Sequence, residues 1–192
     1  MTTDRLEAFS DGVFSVLITI MVLELKVPRG ADWAALSPLL SGFLTYVLSF
    51  VFLGIYWNNH HHMLQATERI NGTILWANLH LLFWLSLVPF VTGWMGENHF
   101  AALPTSIYGG VMFMSAIAFT ILANRIVAQE GPESALAQAF GRDRKSKVSL
   151  MLYAIAIPAA FLHQAIADAL YVSVALIWLV PDRRIETTLT SR

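Results

Sequence analysis

An arginine, a serine and an aspartate interrupt an apolar run near the N-terminus, at Arg5, Ser10 and Asp11. Charge in a bilayer is costly, so such residues serve an ion or proton pathway or a polar packing network. Asp11 thus has three chemistries open to it: attracting a permeating cation, carrying a proton, or anchoring a helix. A carboxylate in low dielectric needs a partner or takes up a proton. The indole N–H of Trp57, the imidazoles of His60 and His61, and the amide of Asn78 are the partners on offer. The triplet His60-His61-His62 invites a metal reading. Adjacent side chains on a helix point about 100° apart, however, so the three do not close on one ion. No His-Glu-x-x-His spacing or nearby carboxylate pair accompanies them. They read as packed, capping or pH-responsive histidines, and no resident metal is expected. Asp11, His80 and Asp168 form the set that a proton-coupled secondary transporter would use. Such carriers show inverted repeats and broken helices at the midplane, and neither is clear here. A membrane enzyme would need convergent nucleophile, base or metal groups, for which the histidine triplet is the one weak candidate. Neither catalysis nor a cofactor is expected.

The elements that carry these residues are membrane helices. Of the 192 residues, 56% are hydrophobic and 13% charged, against about 25% charged in ordinary soluble domains. The formal net charge of -1 gives no footprint for nucleic acid. There is no Cys, which removes disulfides, thiolate metal sites and Cys nucleophiles. Asp4, Glu7 and Asp11 load the region that a secretory signal would make basic.

A spanning helix needs about 20 apolar residues. Candidates run approximately over 6–27, 33–57, 70–94 and 102–127. Pro28-Arg29-Gly30 ends the first, Asn58-Asn59-His60-His61-His62 follows the second, and Pro89 predicts a kink in the third. The apolar block 148–180 is too long for one upright span. It reads as two short helices, 148–162 and 166–179, joined near His163-Gln164. The expectation is an all-α integral membrane protein of six transmembrane helices, forming one transmembrane domain over 1–192. Charge placement supports six. With a cytoplasmic N-terminus, Arg5, Arg69, Arg125, Arg142, Arg144, Lys145, Lys147, Arg183, Arg184 and Arg192 fall inside. Only Lys26 and Arg29 fall outside, as the positive-inside rule requires. Glu24 and Asp32 then lie near the outer mouth, as solvated rim charges or as a field that concentrates cations.

The first helix has a patterned face. Taking Val16 as zero and advancing 100° per residue, Ile20 falls at about 40°, Leu23 at about -20° and Thr19 at about -60°. Asp11 falls at about 220°, on the opposite side, which favours the anchoring role over permeation. A branched aliphatic stripe of this kind usually serves lipid contact or helix packing, and sometimes lines a conduit.

The spacing Arg5-x-x-x-Phe9-Ser10-Asp11 on a first helix resembles the signature of the transmembrane-protein-175 family of potassium channels, in its prokaryotic six-helix form. Trp57-x-x-His60-His61 and Asn78 resemble the polar partners that the family sets beside this signature, so Arg5, Phe9, Ser10, Asp11, Trp57, His60, His61 and Asn78 are expected to form a structural polar network. The resemblance covers essentially the whole chain. It implies a homotetramer in the lipid bilayer with a central pore lined by the first helix. By offset from Phe-Ser-Asp, the aliphatic constrictions map to Val16, Ile20 and Leu23, and a hydroxyl position to Thr19. Val16 stands where the family commonly has Ile. No Thr-Val-Gly-Tyr-Gly filter is present. The implied function is a potassium-permeable cation channel with K⁺ as permeant ion. Its expected place is the inner (plasma) membrane, with both termini cytoplasmic.

Overall fold

The computed structural model describes residues 2–134, 136–137 and 144–179. Arg142, Arg183, Arg184 and Arg192, counted above as cytoplasmic charges, lie outside the described residues. The described residues are helical, with no strand among them. They form α1 (Thr3–Leu23), α2 (Leu40–Gln65), α3 (Gly72–Ser86), α4 (Val88–Glu97), α5 (Ala102–Glu130), α6 (Arg144–Leu162) and α7 (Gln164–Leu179). Because α3 and α4 follow one another as a single broken rod, these make six membrane helices. Five are long and apolar enough to cross a bilayer, and α7 is a shorter apolar helix.

Helix α1 buries Leu6, Ser10, Phe14, Leu17 and Met21, an i, i+4, i+8, i+11, i+15 series on one face. That face packs on α2, α3 and α4. The helix stops at Leu23, short of the expected boundary at 27. Pro28 pushes its preceding residue out of the helical region, so the chain leaves the helix early. Two short 3-10 turns, Trp33–Ala35 and Ser37–Leu39, then carry the chain into α2. Asp32 Oδ1 caps the first by accepting from Ala35 N at 3.0 Å.

Helix α2 corrects the expected second span at both ends. It begins at Leu40 and continues through the polar run to Gln65. The run Asn58–His62 reads by polarity as the end of the span, yet it stays helical: His60 finds a buried partner on another helix and Asn59 Nδ2 donates to Ile55 O at 2.8 Å. The third span breaks at Leu87, two residues before Pro89. Proline lacks an N–H and crowds the carbonyl four residues back, which ends one rod and starts the next.

Two buried layers fix the packing. One is a chain of hydroxyls, with Thr92 Oγ1 2.7 Å from Ser49 Oγ and Ser49 Oγ 3.1 Å from the Tyr108 hydroxyl, which joins α4, α2 and α5. The other contains Ser10, His60 and Asn78. Close backbone approach sets the distance between α2 and α4: a Cβ on Gly96 would lie 2.7 Å from Gly42 Cα. Small residues permit such contacts between membrane helices. Helices α6 and α7 pack antiparallel to each other around His163, with buried Tyr171 against both Tyr153 of α6 and Tyr108 of α5.

Candidate functional site

Helix α1 has two faces with opposite environments. Its buried face ends in the polar layer. Ser10 Oγ donates to Leu6 O at 2.9 Å and accepts from Asn78 Nδ2 at 3.0 Å. Asn78 Oδ1 lies 2.7 Å from His60 Nε2, so with this amide orientation His60 donates from Nε2. All three side chains are fully buried, and the His60 ring rests against Phe14 at 5.6 Å between centroids. Buried polar groups are retained only when paired, and this layer pairs α1, α2 and α3 in one step. His60 Nδ1 makes no hydrogen bond among the described residues.

One residue beyond Ser10 and about 100° further round α1, Asp11 Oδ1 accepts from Trp57 Nε1 at 2.9 Å. His61 stacks on Trp57, with ring centroids 5.9 Å apart and planes 22° from parallel. Its Nδ1 lies 2.6 Å from Glu7 Oε1. Asp11 therefore faces α2, opposite the aliphatic stripe. The structure brings together Ser10, His60 and Asn78, and separately Asp11, Trp57 and His61. Among the described residues, Arg5 and Phe9 lie outside both groups. Both are exposed, and among the described residues Arg5 makes no ion pair. The reason is angular: counted from Val16, Arg5 falls at about -20° and Phe9 at about 20°, on the aliphatic face.

Glu7 is the residue that sequence reasoning passed over. Glu7 and Asp11 are spaced i, i+4 on α1 and so share a face, which is the signal that was there to find. With His61 they offer three potential ligand atoms within 4.8 Å of one another. The reading that no carboxylate pair stands near the histidines is thus corrected. The three histidines themselves diverge: His60 turns to Asn78, His61 to Glu7, and His62 Nδ1 is buried without a hydrogen bond among the described residues.

The other face of α1 is uncovered by the other described residues. Val16 is 53% exposed, Ile20 40% and Leu23 79%, whereas Phe14 and Met21 are at 1%. Gly12, Ser15 and Thr19 share the open side. Thr19 Oγ1 lies 3.0 Å from both Ser15 O and Val16 O, so its proton is committed to its own helix. Its oxygen has only lone pairs left to offer, which is the polarity a cation requires.

The remaining candidates stand apart. His80 Nε2 accepts from Trp84 Nε1 at 3.0 Å on α3. Asp168 lies on α7, its Oδ1 buried without a hydrogen bond among the described residues. No hydrogen bond or ion pair among the described residues links Asp11, His80 and Asp168 into a relay. At the far end of α1, Lys26 pairs with Glu97 at 3.0 Å, not with Glu24 or Asp32.

Comparison with known proteins adds a lineage to this geometry. Residues 5–89 match the family described as endosomal/lysosomal potassium channel TMEM175. A potassium channel of Chryseobacterium sp. (strain P1-3) is 55% identical over 189 residues, covering 98% of each chain. A potassium channel of Streptomyces collinus is 36% identical over 129 residues, covering 62% of this chain and 61% of that one. The crystal structure of a lysosomal potassium-selective channel TMEM175 homolog from Chamaesiphon minutus superposes with a TM-score of 0.78 at 26% identity. The match covers 93% of this chain and 96% of that one.

Proposed function

This chain belongs to the TMEM175 family of ion channels, and we propose that it assembles as a homotetramer whose central, potassium-permeable pore is lined by α1 of each subunit. As a member of a channel family it is not an enzyme. The proposed setting is the inner (plasma) membrane, with both termini on the cytoplasmic side.

One observation carries the reading. The protomer buries one face of α1 and leaves the aliphatic stripe with Val16, Ile20 and Leu23 uncovered. A face meant only for lipid has no need of Gly12, Ser15 and Thr19 along it, whereas a face meant for copies of itself does. Rings of Val16, Ile20 and Leu23 around an axis would offer no ligand to replace ion hydration. Narrow, they dewet and block; wide, they pass a partly hydrated ion, which favours the more weakly hydrated K⁺ over Na⁺ modestly. Thr19 adds four acceptor oxygens one turn past Val16, where water is scarce. Relatives named potassium channels support K⁺ as the permeant ion. A proton-coupled carrier is the weaker reading, because Asp11, His80 and Asp168 are not joined.

Liposome reconstitution tests the proposal. The expected result is passive K⁺ current that reverses near the K⁺ equilibrium potential, needs no proton gradient, and rises when Ile20 is replaced by Ala. Saturable flux that requires a proton gradient, or flux indifferent to Val16, Ile20 and Leu23 substitutions, overturns it.

A further inference from the structure

We propose that Glu7, Asp11 and His61 form a divalent transition-metal site that fastens the N-terminal end of α1 to α2. The three ligand atoms lie within 4.8 Å of one another and come from two helices. Two carboxylate oxygens and one imidazole nitrogen suit a borderline ion such as Zn²⁺ better than Ca²⁺ or Mg²⁺, which prefer all-oxygen shells. Ligands bound at about 2.0–2.2 Å in a tetrahedron stand about 3.4 Å apart, within reach of side-chain rotation here.

Two further observations point to a cation. His61 Nδ1 is shielded from solvent and lies 2.6 Å from Glu7 Oε1, yet it completes no hydrogen bond. Neither Glu7 nor Asp11 is paired with a Lys or Arg among the described residues. Two carboxylates thus share a partly covered spot whose basic neighbour is the His61 imidazole alone among the described residues.

The ligands are also held in place. Trp57 stacks on the His61 ring and donates its N–H to Asp11 Oδ1. Outer hydrogen bonds of this kind orient metal ligands and raise affinity. The site needs only the packing of α1 on α2, so it stands apart from the pore reading.

The test is Zn²⁺ titration of tag-free protein in detergent, read by calorimetry and by thermal melting. Saturable binding that raises the melting temperature is expected. Glu7→Gln or His61→Asn should weaken it about tenfold or more, with His62→Asn close to the parent. If one variant does not fold, the other decides. No saturable binding below about 1 mM, binding indifferent to both variants, or an equal loss in His62→Asn overturns the site.

Discussion

Ser10 and Asn78 are 68 positions apart in the chain and meet through a buried 3.0 Å hydrogen bond that ties α1 to α3. Asn78 is the hinge of the layer, because its amide serves Ser10 on one side and His60 on the other. Asn78→Leu strands the His60 Nε2 proton in an apolar setting. The expected loss is about 1–3 kcal/mol, read as a lower melting temperature in detergent. Adding His60→Leu removes the stranded donor, so the double variant should cost less than the sum of the two singles.

Gly96 and Gly12 separate protomer packing from assembly. Gly96→Ala drives a methyl into the Gly42 backbone and should destabilise the protomer by about 1–3 kcal/mol. A Cβ at Gly12 meets nothing within 4 Å on the protomer. Gly12→Ala should therefore leave the protomer fold intact while lowering tetramer recovery and K⁺ flux. Unchanged recovery and flux would remove the α1 face from the assembly.

Thr19 gives a selectivity test. Thr19→Val deletes the acceptor oxygen at nearly constant volume. Losing about 1 kcal/mol of preference would lower the K⁺/Na⁺ permeability ratio about fivefold, measured from reversal potentials. Thr19→Ser should retain it, since the hydroxyl remains. An unaltered ratio in Thr19→Val would dismiss the hydroxyl from ion discrimination.

Gly109 and Tyr171 form a lock between α5 and α7. A Cβ on Gly109 would fall 2.0 Å from the Tyr171 hydroxyl oxygen, which donates to Thr105 O at 3.0 Å. Gly109→Ala should cost about 1–3 kcal/mol. Tyr171→Phe alone loses the hydrogen bond, about 1 kcal/mol. Combined, the two changes should be less damaging than their sum, because the phenylalanine no longer carries the obstructing oxygen.

The six-helix organisation was legible because spans, breakers and basic loops act locally. Pro89 marks the break in the third span, and Pro28 the end of the first region. The division of α1 into two faces follows from helical angle alone, which separates Asp11 from Val16 without any knowledge of neighbours. What lies across a helix pair was not legible. Polarity alone makes Asn58–His62 look like a terminus, because it cannot tell that Asn78 waits 18 residues beyond His60. The angle of Arg5 sets it on the aliphatic face, whereas the resemblance implies a place in the polar network. Glu7 went unnoticed because its partner His61 lies on another helix, and spacing within α1 could not name it.

The α6–α7 hairpin carries one more consequence. The described part of α7 has 16 residues, about 24 Å of rod, against about 30 Å of hydrocarbon in an average bilayer. Annular lipid thins around so short a rod, and the strain reaches α5, on which α6 packs. Acyl-chain length thereby becomes a mechanical input to the fold, delivered at its periphery and transmitted inward through the Tyr108–Tyr171 contact.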